Sequence, residues 1–325
     1  MADLENANSV AATSELVKAI TERKTEFVPD QEMDKVTKAA IRKLKQDLYK
    51  SLHETIRGQL SESAQRNFDL ISEKNSSAYL TCLPIQQLNF NLNRQEFQDA
   101  LSIRYNLPIV GEARPTNCAC DELNTVEHAL SCKKGGYVAL RHNRIRDYIA
   151  AELTRVYDGT EIEPSLLPTN GRDLPEGTIT EDNARLDIST RGFWNTMDKA
   201  MFDVRAFNAQ APSNCNQTIP LTYAKHETQK KTAYLHRVRE IEGGFFSPLV
   251  ISTTGGLGKE FTKVVKHIAE LKAKRSRNSH GDCIRYIRLR LSFSMVRSVT
   301  LSIRGFRGKK AEATSDDLWN MRVCV

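Results

Sequence analysis

Several things are scarce in this chain. Tryptophan occurs only twice in 325 residues, and aromatic residues make up 7% of the whole. No apolar run approaches the ~18 residues that would span a bilayer, which excludes a helical membrane protein from the expectations. The first fifteen residues are polar and acidic with no apolar stretch of the secretory type, so an intracellular protein is expected. Cysteine is present seven times, an odd number; without a leader this argues for a reducing compartment rather than a disulfide framework. Acids are scarce in one place only. Between Phe261 and Lys310 there are 14 Lys/Arg against Glu270 and Asp282, a local balance of +12 that leaves −5 for the rest of a +7 chain. One basic segment on a mildly acidic body points to a polyanionic partner.

No internal repeat and no low-complexity block is visible, and the length allows two or three domains. Residues 1–32 are polar and weakly periodic and read as disordered. A helical region follows over 33–116. Ile41, Leu44, Leu48, Leu52, Ile56 and Leu60 recur every three or four residues with Lys, Arg and Glu between them. Such a stripe suits core packing, the preferred reading, or a partner helix. Asn75-Ser76-Ser77 interrupts the pattern, and Pro84 and Pro108 bracket a further helix over Arg94–Tyr105.

Residues 117–134 carry three thiols and an imidazole: Cys118, Cys120, His128 and Cys132. Four such ligands close a tetrahedron around zinc and leave no open position, so the site is expected to be structural. His128 and Cys132, four apart, share one face of a helical turn that Thr125 could cap. The single residue between Cys118 and Cys120 is tighter than the usual two to four.

Residues 135–278 read as one α/β unit. The expected order is a helix (Arg141–Val156), strands (Ile162–Leu167, Ala184–Thr190, Ala200–Phe207), a helix (Tyr223–Glu240) and a strand (Phe246–Thr253). The expected sheet is mixed, of about four strands, with helices on both faces. Asp187 alternates with Leu186 and Ile188, and Asp203 with Phe202 and Val204, so both acids point away from an apolar layer. Paired carboxylates of this kind bind Mg²⁺, which keeps waters and bridges to phosphate. Arg205 follows two residues after the second acid, and the next helix offers Lys225, Lys230 and Lys231. The layout is that of a metal-dependent phosphodiesterase. Among charged neighbours, Arg141 is expected at nucleic acid and His142 at phosphate or solvent. Thr254-Gly255-Gly256-Leu257-Gly258-Lys259-Glu260 imitates a phosphate loop but has Glu260 where Ser or Thr belongs, and is read as a glycine turn opening a helix over Lys259–Lys274. Residues 279–325 are expected to form a basic helical tail whose Arg285, Arg288, Arg290 and Arg297 grip nucleic acid through phosphate, with a frayed end from Arg304.

The ordered set Cys118-x-Cys120…His128…Cys132, Arg141-His142-Asn143-x-Ile145-Arg146-Asp147, Glu163-Pro164, Arg185-x-Asp187-Ile188, Asp203-Val204-x-Ala206 and the lysine helix covers about Ser77 to Arg304. It resembles the C-terminal region of site-specific non-LTR retrotransposon proteins and related transposon-derived proteins of invertebrates, where a zinc knuckle precedes a restriction-endonuclease-like domain. The resemblance implies an αβββαβ core and Mg²⁺-dependent DNA endonuclease activity in the nucleus, with no small-molecule cofactor. It also implies a working lysine on the helix after the second acid. Leu186 stands where the family has proline, and Arg205 where the wider superfamily has lysine. No polymerase motif precedes these residues, so the chain reads as a detached or truncated endonuclease module. The alternative is a catalytically inactive, zinc-containing protein that binds DNA or RNA.

Overall fold

The computed structural model describes residues 30–109 and 116–305. The expected disorder before residue 30, the loop over 110–115 and the chain after residue 305 lie outside the described residues. The protein divides into two compact units, Met1–Gln65 and Arg66–Val325. Helix α1 (Asp30–Gly58) dominates the first, starting three residues before the expected point. Its stripe corrects the core-packing expectation. Leu48 is 68% and Leu52 52% exposed, and Ile41, Leu44 and Ile56 are also in solvent. The amphipathic period is genuine, but nothing in the described structure covers it.

The second unit holds the sheet. Strands β1 (Glu161–Ile162), β2 (Ile188–Arg191), β3 (Lys199–Phe207) and β4 (Phe245–Ser252) lie in that order. The first three pair antiparallel, and β3 and β4 pair parallel. The expected mixed four-stranded α/β architecture is therefore present, with shorter β1 and β2 than the apolar runs suggested. Regular pairing of β2 begins only at Ile188; before it the chain holds on by single contacts, such as the Ser165–Arg185 bridge and Asp187 N donating to Phe202 O at 3.2 Å. Leu186 accordingly packs with Met201 and Val238, not on the Ile188 face as strict alternation would have it.

Period-two patterning in β3 and β4 sorts the core. Phe202, Val204, Leu249 and Ile251 face one cluster with Ile145, Ile149 and Leu153 of α5 (Tyr137–Thr154), Phe261, Val264 and Ile268 of α8 (Lys259–Ser276), and Ile287, Leu291 and Met295 of α9 (His280–Arg304). Met201, Phe207, Phe246 and Val250 face the other side, beneath α7 (Ile219–Glu240). Between β3 and α7 lies the short α6 (Pro212–Cys215).

Two expected boundaries move. Helix α9 is not a tail: Ile287, Leu291, Met295, Val299 and Ile303 repeat every fourth residue and are all buried in the central cluster. Its last residue, Arg304, donates through its Nε and Nη2 to Asp99 at 2.6 and 2.7 Å. The stretch from 66 to 109 is likewise no separate helical domain. It includes the C-terminal part of α2 (Glu62–Ser72) and α3 (Arg94–Arg104), whose start is fixed by a reciprocal Asn93–Glu96 capping box. Tyr79, Phe90 and Ala100 pack there against Leu289 and Phe293 of α9.

Candidate active site and metal centre

Register places the acids together. Ile188 pairs with Phe202, so Asp187 stands opposite Asp203 where β2 starts and beyond which β3 continues paired to β4 only. The carboxylates are in hydrogen-bonding contact. Asp187 Oδ2 also accepts from Val204 N at 2.6 Å, replacing the ladder bond β2 no longer supplies, and from His142 Nε2 at 3.0 Å. Asp203, 5% exposed, is ion-paired to Lys230 Nζ. Lys230 lies on α7, the helix that covers this face of the sheet. Lys225, one turn and a residue earlier, points elsewhere: its Nζ donates to Ser213 O at 3.4 Å. Lys231 is engaged with Glu260 at 3.0 Å. Of the three candidate lysines, Lys230 alone among the described contacts meets the acid pair. Arg205 shares the strand face of Asp203 and is exposed.

The environment splits the two carboxylates. Burial pushes both up, but the His142 hydrogen bond and charge, with the Val204 amide, hold Asp187 below its ordinary value. For Asp203 burial wins, aided by the Asp187 charge and opposed by Lys230, and its pKa rises to about 6. Burial lowers and Asp187 raises His142, with a net rise. Tyr234, one turn beyond Lys230, is pushed up to about 12 by burial and then by the two aspartates. The result is a carboxylate pair of unequal basicity under one ammonium group.

His142 was expected at a phosphate or in solvent, and its place beside Asp187 is a correction. So is that of Arg141, which is 1% exposed and donates through Nη2 to Leu130 O at 2.8 Å, clamping the cysteine-bearing segment to α5. The signal for both was present in the sequence: Arg141 and His142 precede Ile145 by four and three residues, and so sit on the buried stripe. Glu163 is a further charged neighbour; it is ion-paired to Arg146 and donates its backbone N–H to Asp187 O at 2.9 Å.

The basic residues of α9 make contacts within the protein. Arg285 donates to Thr81 O (2.9 Å), Arg290 to Leu88 O (3.0 Å) and Arg297 to Asn89 and Asn91 carbonyls (3.2 and 2.5 Å). Arg288 is half-buried, and burial lowers its pKa. These cations fasten the 79–93 segment, which lacks a backbone ladder of its own, onto the helix. The phosphate-loop look-alike is likewise self-occupied. Glu227 Oε1 accepts from Glu260 N at 3.0 Å, so a carboxylate already fills the anion position at the start of α8.

The cysteine cluster is compact. Asn117 bridges Leu123 across a turn in which Asp121 takes a left-handed φ of 67°, bringing Cys118 and Cys120 round to one side. Thr125 caps α4 (Val126–Ser131), accepting from His128 N at 3.1 Å, and α4 carries His128 and ends at Cys132. The four donor atoms lie within 4.8 Å of one another. Separations are 3.7 Å for Cys118–Cys132, 3.8 Å for Cys120–Cys132 and 3.2 Å for Cys120 Sγ–His128 Nε2. A tetrahedron with ~2.3 Å Zn–S bonds sets sulfurs roughly 3.8 Å apart, so the group has metal-binding dimensions compatible with zinc. No family model matches the chain, and no curated protein matches it.

Proposed function

We propose that this protein is a Mg²⁺-dependent endonuclease of the restriction-endonuclease-like kind, acting on DNA phosphodiesters in the nucleus and derived from a retrotransposon protein. The observation that carries the reading is the convergence of Asp187, Asp203 and Lys230 on one point of the sheet. The element order from α5 to β4, helix–strand–strand–strand–helix–strand apart from the short α6, is the order that such a core needs.

The donor set fits the ion. Two hard carboxylates share one place, and Asp203 holds its proton up to about 6 because burial, aided by the Asp187 charge, outweighs the pull of the Lys230 ammonium. Bound there, Mg²⁺ would lower the pKa of a water and neutralise charge on the phosphate. The chain's own residues do the rest. His142 and Val204 N fix Asp187 Oδ2 and so set the orientation of the carboxylate. Lys230 stabilises the negative charge that grows on the phosphoryl oxygens as water attacks. Arg205, always protonated, holds a neighbouring phosphate and moves no proton. The second proposed metal is structural zinc held by Cys118, Cys120, His128 and Cys132, which fixes the segment that Arg141 clamps to α5.

Nicking of supercoiled DNA with Mg²⁺ or Mn²⁺ tests the reading. Lys230→Met should lower the rate roughly 10²–10³-fold, Asp203→Ala should abolish it, and Lys225→Met should leave it near wild type. If wild type does not nick, or Lys230→Met nicks equally well, the reading fails and a zinc-containing protein that only binds nucleic acid replaces it.

A further inference from the structure

We propose that the pocket between α2, α3, α9 and the turn after β4 binds a short aliphatic monocarboxylate. The proposal stands on that pocket and is independent of the chemistry assigned to the acid pair.

The pocket has a volume of about 50 Å³ and lies wholly within the second unit. At roughly 10–15 Å³ for each water-sized group it holds about four of them. Its apolar wall is Ile71 of α2, Ile103 of α3, and Val296 and Val299 of α9. Thr253 and Thr254, which follow β4 directly, line it as well. Gly255, at a φ of 96°, lets that turn come close: a Cβ there would stand 3.4 Å from Asn75 O. The pocket therefore sits off the carboxyl end of β4, a strand parallel to β3, and α/β sheets admit their ligands at such ends.

Three features of the lining ask for an anion. Arg104, the last residue of α3, is the only charged residue among those that line the pocket. Its hydrogen bonds leave through Nη1 alone and end on uncharged oxygens, Ile71 O at 3.4 Å and Ser77 Oγ; no acid among the described residues pairs with it. The Tyr105 ring, its centre 5.6 Å from the guanidinium carbon, is a weaker partner than a carboxylate. Next, Arg104 Nε, Ser76 Oγ and Thr300 Oγ1 are buried with no hydrogen-bond partner. Buried polar groups are ordinarily bonded. A guanidinium can only donate and both hydroxyls can donate, so what the three lack in common is an acceptor. Finally, Asn75 and Ser77, on either side of Ser76, both take left-handed φ values, 83° and 60°. Residues other than glycine are strained there, and such strain gathers at ligand clamps.

The same lining selects the class of anion. One cation neutralises one negative charge, whereas a dianionic phosphate would keep an unpaired charge against an apolar wall. A carboxylate matches the planar guanidinium. The remaining space, bounded by four aliphatic side chains, takes a tail of two or three carbons.

Calorimetric titration of the full chain with sodium butyrate at neutral pH tests this, with n-butanol and inorganic phosphate as comparisons. Butyrate should bind once per chain with a dissociation constant of about 1 mM. Butanol, which lacks the charge, and phosphate, which lacks the tail, should each bind about tenfold more weakly or not at all. Arg104→Met keeps an unbranched apolar stem, removes the charge, and should weaken butyrate roughly tenfold or more. Thr300→Val replaces a hydroxyl that bonds nothing in the protein, so it should keep the wild-type far-ultraviolet circular dichroism and weaken butyrate about fivefold. Wild type that shows no saturable butyrate binding overturns the proposal, as does either variant binding butyrate at wild-type strength. Phosphate or butanol bound as tightly as butyrate overturns the assignment of the ligand class.

Discussion

Glu73 offers a measurable test of the packing around β4. Its Oε2 accepts from Tyr223 Oη at 3.1 Å, and a Cβ at Gly256 would strike both groups, so the three residues are in close contact. Burial pushes the Glu73 carboxyl from 4.5 to about 7, against the smaller opposing pull of the Tyr223 hydrogen bond. A carboxyl whose pKa is raised in the fold binds its proton more tightly there than in the unfolded chain. Its contribution is therefore complete below about pH 4.5 and is lost as pH rises through about 7. The full gap corresponds to at most about 3 kcal/mol; solvent reaching a half-exposed group trims that to about 2 kcal/mol. Glu73→Gln keeps an acceptor for Tyr223 and removes the titration. Urea unfolding should find the variant more stable than wild type by about 2 kcal/mol at pH 8, with the difference vanishing near pH 4.5. Groups that titrate in both proteins cancel in that difference. A difference independent of pH would show that the carboxyl is not held neutral by burial, and the argument would be wrong.

Other outcomes follow from the same geometry. Divalent-ion affinity at the acid pair should fall as pH drops through about 6, where Asp203 takes up its proton, and calorimetric titration at pH 5 and pH 8 reads this directly. Cys120→Ser should release zinc measured by elemental analysis and lower thermal stability, because a tetrahedral site that loses one of four ligands no longer closes. Replacing Arg285, Arg290 and Arg297 with Gln should destabilise the fold by a few kcal/mol, since each loses a charge-assisted bond to a carbonyl. If stability is unchanged while the salt dependence of DNA binding flattens, the carbonyl contacts are not what those arginines are for.

The sequence was most informative where one physical rule decided the outcome. Strict alternation in Lys199–Phe207 identified the central strand, and the four-residue step from His128 to Cys132 identified a ligand-bearing turn. It was less informative where a partner decides. Amphipathicity in α1 states that an apolar face exists, not what lies on it; the same kind of pattern in α9 proved to be core. Net charge in α9 counted arginines but could not show that Thr81, Leu88 and Asn91 offer them carbonyls from two hundred residues away. His142 shows the limit most sharply. Its charged neighbours suggested phosphate or solvent, whereas its helical phase put it against Asp187, and phase was the better guide.

The carboxylate that Glu227 places at the start of α8 has a consequence for alignment. One turn on, Lys231 reaches Glu260 of the same helix, so α7 is pinned to α8 at two points that flank Lys230 in sequence. The angle at which Lys230 meets Asp203 is thus gauged by helix-to-helix fastening and not by the ammonium–carboxylate contact alone. One residue inserted between Glu227 and Lys230 would turn the lysine by about 100° and lift it by ~1.5 Å, while both fasteners cannot follow. Farther along, the same helix is fastened to the 163–185 segment, where Arg237 donates to the Ile179, Glu181 and Leu167 carbonyls, so an insertion between Glu227 and Lys230 would set the two ends of α7 against different anchors.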